Sequence, residues 1–283
     1  MQFEKTEKII GKGGYSTVYI CKKKNSDSTK RYAMKISEIY KSPEKNYHLL
    51  IEYKILKYLS GGIGIPKVYS FGKENNDNNS NNFYLVQQLL GNNLIQELKK
   101  YKNKIPKEIY INMALQMISR IEFLHSKGFI HCDIKPENFV LNLDTNENNN
   151  IIVYLIDFGL TEPYINLKTK EHKQHKNKKC RKGTMDYCSM NSHSELSLSR
   201  RDDLESLAYC LIYLWYGKLP WTNRTNNGYN NETILNMKIE FSSYGCEMKN
   251  IHKNLKKFLD YVIKLKFDET PNYKYLKQLV KEL

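Results

Sequence analysis

The string HCDIKPEN at residues 131–138, together with DFG at residues 157–159, decides the fold of this 283-residue chain. Between them lies the apolar run IIVYLI at residues 151–156, whose composition predicts a buried β-strand that ends at DFG. The two strings place an Asp, a Lys, an Asn and a second Asp in a fixed order around one strand. These residue types at this spacing indicate a site for chemistry rather than a packing element.

Transfer of a phosphoryl group to a hydroxyl needs the services that these residues can supply. Asp133 can orient the acceptor hydroxyl and accept its proton, and Lys135 can neutralise the γ-phosphate. Asn138 and Asp157 can hold the Mg²⁺ ions that bridge the phosphates. We therefore expect catalysis from Asp133, Lys135 and Asn138, with Asn138 and Asp157 as metal ligands.

A glycine-rich string, GKGGYSTV at residues 11–18, lies between two strand-like runs. Glycine lets backbone N–H groups approach phosphate oxygens without a Cβ in the way. The string is weak evidence by itself, because glycine pairs are more often simple turns, but a dinucleotide fold is disfavoured since a strand follows it. The candidate nucleotide-binding residues here are Gly11, Lys12, Gly13, Gly14 and Val18.

A lysine interrupts the apolar run AMKI that follows the glycine string. Lys35 on a half-buried strand is costly unless its ammonium meets an anion. The candidate anions are the phosphates of a nucleotide and the carboxylate of Glu52, in the next predicted helix. A solvent-exposed edge lysine is the alternative, but the order after the glycine string favours the nucleotide, so Ala33, Lys35 and Glu52 join the candidate binding residues.

The hydrophobic pattern predicts a small β-rich lobe followed by a larger helical lobe. Short β-branched and aromatic runs precede one helix at about residues 44–59. Further along, Met113, Met117, Ile121 and Leu124 follow the spacing of a helix that buries one face and ends near Gly128. An extended link is expected near residues 87–92, and Asn-rich patches near residues 74–82, 144–150 and 222–231 predict inserted loops.

Composition excludes several classes of protein. With 40% hydrophobic and 12% aromatic residues the chain is not disordered, and 14 Gly and 7 Pro exclude collagen-like and Pro-rich proteins. The longest apolar run, LAYCLIYLWY at residues 207–216, is shorter than the ~20 residues of a membrane helix, so no membrane span is expected. Six unpaired cysteines and no signal-like N-terminus predict an intracellular protein, cytoplasmic or nuclear.

A formal net charge of +15 indicates an anionic partner, which could be nucleic acid, an acidic membrane, a nucleotide or an acidic protein. Nucleic acid is disfavoured because no recognition helix, aromatic stacking pattern or zinc signature accompanies the charge. Residues 166–182 are strongly basic, and we hypothesise that they attract acidic protein substrates, although a solvated basic loop is an equal alternative. The basic residues are Lys168, Lys170, Lys173, Lys176, Lys178, Lys179, Arg181 and Lys182.

The chain resembles a eukaryotic protein kinase domain and, more narrowly, the casein kinase 1 family. The narrow resemblance rests on long strings that together cover nearly the whole chain. They are GGIGIPKVYSFG at residues 61–72, QMISRIEFLHSKGFIH at 116–131, SMN at 189–191 where most kinases carry A-P-E, SRRDDLESLAYCLIYLWYGKLPW at 199–221, and FDETPNYKYLKQL at 267–279.

The resemblance implies an α+β, bilobal protein kinase fold in a single catalytic domain over residues 1–283. The N-lobe would cover residues 1–87, the hinge 88–92 and the C-lobe 93–283. It further implies a monomeric Ser/Thr kinase that uses ATP and Mg²⁺ on protein substrates. The D-x-K-P-x-N form is the one seen with Ser and Thr acceptors, whereas tyrosine kinases usually place Ala or Arg at the lysine position.

Further site residues are implied by the resemblance alone. Backbone groups of Gln88 and Leu90 would bind adenine, with Gln87 as an unusual polar gatekeeper where the family commonly has Met. Thr184 would place Asp133 and Lys135 against the acceptor. Asp203 would hydrogen-bond the backbone of the catalytic loop.

Besides Gln87, two residues depart from the patterns of the families that the chain resembles. Cys132 replaces the arginine that grips a phosphorylated activation loop in many kinases, so activity without that phosphorylation is expected. Asp186 stands where the casein kinase 1 family has an arginine that binds a phosphate or acidic residue of the substrate, which puts the preference for phosphate-primed substrates in doubt. The vaccinia-related branch also carries an acid here. A pseudokinase or scaffold is the alternative, against which every catalytic position is filled.

Overall fold

The computed structural model describes residues 2–14, 16–26, 28–37, 44–73, 82–143, 150–177, 181–222, 230–244 and 251–283. Most of each predicted Asn-rich loop lies outside these ranges, as do Lys178 and Lys179 of the basic segment. Within the described ranges, no helix combines the length and the apolar character that a membrane crossing requires. The four cysteines in those ranges (Cys21, Cys132, Cys188 and Cys210) are buried free thiols.

The N-terminal part is a five-stranded antiparallel sheet with one long helix. The strands are β1 (Phe3–Lys12), β2 (Ser16–Lys23), β3 (Tyr32–Ser37), β4 (Val68–Lys73) and β5 (Phe83–Gln88), in the spatial order β1-β2-β3-β5-β4. Helix α1 (Glu44–Tyr58) agrees with the predicted helix at residues 44–59. The sheet separates two apolar clusters, because Tyr84 and Val86 of β5 pack on one side and Leu85 packs towards α1 on the other.

The C-terminal part is mainly helical, so the α+β fold class is confirmed. Its helices are α2 (Leu94–Lys100), α3 (Lys107–Ser126), α4 (Met190–His193), α5 (Arg200–Tyr216), α6 (Asn231–Tyr244), α7 (Lys253–Lys264) and α8 (Tyr273–Lys281). Short strand pairs join β6 (Phe129–Ile130) to β9 (Glu162–Pro163) and β7 (Phe139–Leu141) to β8 (Val153–Leu155).

Helix α3 forms the centre of the C-terminal core. Met113, Met117, Ile121 and Leu124 are all buried, as their spacing predicted. The helix ends at Ser126, and Gly128 has a φ of +88°, a conformation that a glycine adopts without steric cost. The chain therefore reverses directly into β6 and delivers the catalytic string HCDIKPEN to the surface of this core.

A tight turn before β4 fastens the N-terminal part to α3 and β8. Arg120 of α3 donates from Nε to the carbonyl of Val153 at 2.8 Å, and Leu155 donates its N–H to the carbonyl of Gly64 at 2.9 Å. Gly64 has a φ of +71°, and a Cβ there would lie 1.9 Å from Arg120 Nε and 2.4 Å from the Val153 carbonyl oxygen. Only glycine fits between these groups.

We predict that Gly64→Ala destabilises the protein by about 3 kcal/mol or more, because it adds an overlap with a buried arginine to the strain of a positive φ. Gly61→Ala is the matched control, since Gly61 has a φ of +86° and a Cβ at that position would meet nothing within 4 Å. It should cost only about 1–2 kcal/mol. Urea unfolding measures both, and equal losses would contradict this account of the turn.

Candidate active site

The backbone of the catalytic loop is held by one buried carboxylate from α5. Asp203 Oδ2 accepts the N–H of His131 at 2.7 Å, and its Oδ1 accepts the N–H of Cys132 at 3.0 Å. Cys132 has a φ of +67°, an unfavourable conformation for a residue with a side chain, which the two bonds stabilise. The contact implied for Asp203 is therefore present, and it turns the next residue, Asp133, into the cleft.

A second layer of hydrogen bonds holds Asp203 itself. Asp203 is 3% exposed and lies 2.9 Å from His125 Nε2, while His125 Nδ1 lies 2.7 Å from the hydroxyl of Tyr273 in α8. Burial lowers the pKa of His125, so the neutral ring donates from Nε2 and accepts the tyrosine hydroxyl at Nδ1. Burial would raise the pKa of Asp203, but the hydrogen bonds from the His125 ring and from the N–H of His131 lower it overall, which keeps the carboxylate ionised.

Asp133 is fixed by hydrogen bonds with other residues of the catalytic loop and with Thr184. Its Oδ1 accepts the N–H and the hydroxyl of Thr184 at 2.9 and 2.8 Å. Lys135 Nζ donates to Asp133 Oδ2 at 2.8 Å and to Thr184 Oγ1 at 2.9 Å. Asn138 Nδ2 donates to the backbone carbonyl of Asp133 at 2.8 Å. The structure thus brings the four predicted catalytic residues into one hydrogen-bonded cluster.

The second cluster joins the N-terminal sheet, α1 and the DFG turn. Lys35 Nζ donates to Glu52 Oε2 at 2.7 Å and to Asp157 Oδ1 at 2.6 Å. Burial raises the pKa of Glu52 to about 7 against the opposing charge of Lys35. Burial likewise favours the neutral form of Asp157, but the charge and hydrogen bond of Lys35 prevail and lower the pKa of that carboxyl. Lys35 therefore serves as the cation that keeps Asp157 ionised in the cleft.

The predicted magnesium ligands offer oxygen atoms on the same side of the cleft. The amide nitrogen of Asn138 is bonded to Asp133, which leaves its amide oxygen for a cation, and Asp157 supplies a carboxylate. In the part of the chain that the structure describes, no three His, Cys, Asp or Glu residues form a metal cluster. Two oxygen ligands nevertheless fit Mg²⁺, which usually binds through one or two protein groups plus waters and substrate phosphates.

A cleft of about 460 Å³ between the two parts of the molecule contains nearly all the predicted nucleotide-binding residues. It is lined by Gly11, Lys12, Gly13, Val18, Ala33, Lys35, Glu52, Gln88, Leu90, Asn138, Asp157 and Thr184. Gly14 lines the adjoining inner pocket, which also contains Gly13, Lys35 and Asp157. Val140 and Ile156 line the same cleft. They were not predicted as site residues, because each stands in a short apolar run whose sequence looks like that of core residues.

A family model described as the protein kinase domain matches residues 4–280 of the chain. The chain belongs to the protein kinase domain family. ATP and Mg²⁺, when bound, supply the phosphoryl group and the positive charge that offsets the phosphates. In this kinase, Lys135 and Thr184 fix the carboxylate of Asp133, a group whose chemistry allows it to accept a proton.

A buried lysine that the sequence did not identify as a site residue hydrogen-bonds the backbone of the segment after Thr184. Lys238 of α6 is 0% exposed, and its Nζ donates to the carbonyls of Met185 at 3.0 Å and Cys188 at 2.6 Å. A third bond, of 3.0 Å, goes to His193 Nε2. Burial, aided by the charge of Lys238, lowers the pKa of His193 to about 4, which leaves this ring neutral and able to accept.

Asp186 lies within this segment, and a residue of the buried core holds its backbone. Its backbone carbonyl accepts the indole N–H of Trp221 at 2.8 Å, so the chain direction at Asp186 is fixed from the side of the buried core. Thr184 and Asp186 are thus both presented by a backbone that Trp221 and Lys238 support.

Hydrogen bonds and an ion pair hold the described part of the activation segment, the stretch between β9 and α4. Lys182 Nζ donates to Glu162 Oε2 at 2.8 Å, and the carbonyl of Lys182 accepts the hydroxyl of Ser192 at 2.6 Å. The carbonyl of Lys176 accepts the N–H of Ser197 at 2.9 Å, and the N–H of Lys176 donates to Ser197 Oγ at 3.1 Å. Cys132, which replaces the usual arginine, is buried beside the catalytic loop. These contacts order both ends of the described basic segment.

We predict that Thr184→Ala lowers kcat by about 10- to 100-fold, because Asp133 and Lys135 each lose a hydrogen bond that fixes their positions. Thr184→Ser keeps the hydroxyl and should retain most of the activity. Steady-state kinetics with a peptide acceptor measures both variants. Equal rates for the alanine and serine variants would show that the hydroxyl does not position the catalytic pair.

We also predict that Lys238→Met destabilises the kinase by about 2–3 kcal/mol, because the buried carbonyl of Cys188 loses the ammonium donor and that of Met185 keeps the thiol of Cys188 as a weak donor at 3.7 Å. Lys274→Met, at an exposed position of α8, is the control and should change stability by less than about 0.5 kcal/mol. Denaturant unfolding provides both values. A Lys238→Met protein as stable as the control would contradict the proposed support of the segment that follows Thr184.

Proposed function

We propose that this protein kinase transfers the γ-phosphate of ATP to Ser and Thr residues of protein substrates, as a casein kinase 1-like enzyme. The observation that carries the Ser/Thr assignment is the cluster of Lys135, Asp133 and Thr184, in which one ammonium bonds both the carboxylate and the hydroxyl at 2.8 and 2.9 Å. A lysine at this position of D-x-K-P-x-N is typical of kinases with Ser or Thr acceptors.

The roles of the site residues form part of the proposal. Asp133 accepts the proton of the acceptor hydroxyl, Lys135 neutralises the γ-phosphate, and Thr184 positions both. Asn138 and Asp157 bind Mg²⁺. The nucleotide is bound by Gly11, Lys12, Gly13, Gly14, Val18, Ala33, Lys35 and Glu52, and by backbone groups of Gln88 and Leu90. Gln88 is the last residue of β5, and Leu90 lines the cleft just beyond it, which supports the hinge assignment.

Contacts between two of the family-like strings support the casein kinase 1-like assignment. Ser189 of the string SMN donates to Asp202 Oδ1 at 2.7 Å, and Asn191 donates to the same atom at 2.9 Å. The N–H of Met190 donates to Glu205 at 2.8 Å. Each residue of SMN thus has a partner in the RRDDLES stretch of α5, so that the two strings work as a unit where most kinases carry A-P-E.

Activity without phosphorylation of the activation segment is proposed on the basis of one replaced residue and one ion pair. Cys132 cannot pair with a phosphate as an arginine would. Glu162 and Lys182 instead form an ion pair of 2.8 Å with both side chains only a quarter exposed or less, which joins β9 to the end of the segment. In this proposal, the carboxylate of Glu162 takes the place of the activation-loop phosphate that pairs with a basic residue in other kinases.

We propose an intracellular, monomeric enzyme, cytoplasmic or nuclear, with protein substrates that include acidic ones. The described basic residues before Gly183 support a field that attracts acidic chains. Asp186 carries the opposite sign, as does the acid of the vaccinia-related branch at this position, and favours a substrate preference different from phosphate priming. A scaffold without catalysis is disfavoured by the filled catalytic positions and their mutual hydrogen bonds.

Transfer of radiolabelled phosphate from ATP to a degenerate peptide library with Ser, Thr and Tyr acceptors tests the proposal. We expect labelling of Ser and Thr peptides, and Asp133→Asn should reduce it by about 10²- to 10⁴-fold through loss of the proton acceptor. Labelling of acidic peptides should fall with ionic strength, because the attraction is screened.

A different result of this experiment would contradict each part of the proposed function. No transfer by the wild type would favour a scaffold, and preferential labelling of Tyr would overturn the Ser/Thr assignment. Acidic-peptide labelling that ignores both salt and neutralisation of Lys168, Lys170 and Lys173 would remove the field hypothesis while leaving the kinase activity established.

A further inference from the structure

The rear of the nucleotide cleft contains a buried amide that lacks a hydrogen-bond partner. Gln87 is 8% exposed, and its Oε1 accepts no hydrogen bond from any residue that the structure describes. An unsatisfied buried acceptor costs about 1–3 kcal/mol, and almost all such groups in folded proteins have partners. The cost calls for a compensating function at this position.

The pairing of β5 with β3 shows which way the amide faces. Gln87 lies directly opposite Ala33, and Leu85 lies opposite Lys35. Opposite residues in an antiparallel pair present their side chains on the same face of the sheet, so Gln87 shares a face with Lys35. On that face the ammonium of Lys35 reaches Glu52 and Asp157, which is the side of the cleft. Gln87 accordingly lies among the residues that line it.

The neighbouring residue, Gln88, has the same side chain, but its amide makes hydrogen bonds within the protein. Gln88 faces the other side of the sheet, where its Nε2 donates to the hydroxyl of Tyr154 at 3.2 Å and its Oε1 accepts the N–H of Lys67 at 3.4 Å. Two identical side chains in sequence thus differ in one respect. The amide of Gln88 is satisfied by protein, whereas Oε1 of Gln87, on the face of the sheet that it shares with Lys35, is not.

We infer that the Gln87 amide reads the purine base, its oxygen accepting a hydrogen bond from the 6-amino group of adenine. The inference rests on the proposed ATP binding at Gln88 and Leu90, the residues that follow Gln87. A 6-amino group has two N–H donors, and a backbone carbonyl of the hinge can accept only one of them. The second would otherwise be buried without an acceptor, and the terminal torsion of a glutamine is soft enough to bring Oε1 to it.

The same arrangement discriminates against guanine. Its 6-oxo group is an acceptor and would meet both the hinge carbonyl and Gln87 Oε1, so that acceptors would face each other. Half a turn of the amide would present the –NH₂ group to guanine instead, but the backbone carbonyl cannot be inverted. Selectivity against guanine therefore rests on the fixed hinge carbonyl, and Gln87 adds to the affinity for a 6-amino purine by accepting its second N–H.

A thermodynamic cycle between side chain and base tests this inference. The probes are ADP and purine riboside 5′-diphosphate, which has hydrogen in place of the 6-amino group, and their Kd values are measured by calorimetry with Mg²⁺. Gln87→Met keeps the length but removes the acceptor. We expect it to reduce the preference for ADP over the 6-hydrogen analogue by about fivefold to tenfold, the effect of one hydrogen bond.

Two further variants separate the acceptor from other effects of substitution. Gln87→Glu keeps an acceptor oxygen and should retain most of the preference for ADP, measured above the pKa of the introduced carboxyl. Gln278→Met, at an exposed position of α8, is the remote control and should leave the preference unchanged. Thermal unfolding confirms that each variant is folded, and the ratio of ADP to GDP binding by the wild type needs no variant.

The outcomes distinguish this inference from the proposed function. An unchanged ADP preference in Gln87→Met, or wild-type binding of GDP as tight as that of ADP, would overturn the purine-reading role while leaving nucleotide binding intact. A loss of preference in Gln87→Glu as large as that in Gln87→Met would show that the amide acts through its N–H₂ group, which also overturns it. Failure of the wild type to bind either nucleotide would overturn the inference and the kinase proposal together.

Discussion

The catalytic geometry depends on one buried carboxylate, that of Asp203. Burying a carboxylate is expensive unless it is hydrogen-bonded, and Asp203 has three donors, from two successive backbone N–H groups and a histidine ring. Those same bonds hold Cys132 at a positive φ, which sends the following side chain, Asp133, into the cleft. The reactive carboxylate is therefore placed by an inert one, through the backbone between α3 and α5.

Helix α1 is the element that couples this loop to the N-terminal sheet. Its Leu49 and Ile55 belong to the same apolar cluster as α3 and α5, whereas the outer face of the sheet has a separate cluster. The Lys35–Glu52 pair lies at this junction, and His48 lies 3.0 Å from the carbonyl of Gly159 in the DFG turn. Because α1 contacts both the sheet and the DFG turn, its position determines whether Lys35 and Asp157 meet.

The sequence predicts those parts of the molecule that depend on local pattern or on fixed spacing. The periodicity of α3 and the HCDIKPEN and DFG strings lead to the core helix and to the clustered Asp133, Lys135 and Asn138, whereas the family resemblance alone implied Thr184. Lys238 could not be predicted, because its burial depends on acceptors about fifty residues away, and a lysine in α6 looks exposed. The missing partner of Gln87 likewise emerges only from tertiary structure, as does the need for glycine at position 64.

In the proposed function, the basic segment and the acidic groups around the cleft have different parts in substrate recognition. Electrostatic attraction between exposed charges fades over about 8 Å at physiological ionic strength, so the basic segment acts on a chain that approaches it rather than on the reacting hydroxyl. Lys182, the basic residue next to Gly183, is already paired with Glu162 and contributes order instead of field. Around the catalytic loop three carboxylates, Asp133, Glu137 and Asp186, accompany the single ammonium of Lys135. For the acidic substrates proposed above, the net charge of +15 would raise the rate of encounter, and the acidic groups beside the catalytic loop would select the residues next to the acceptor.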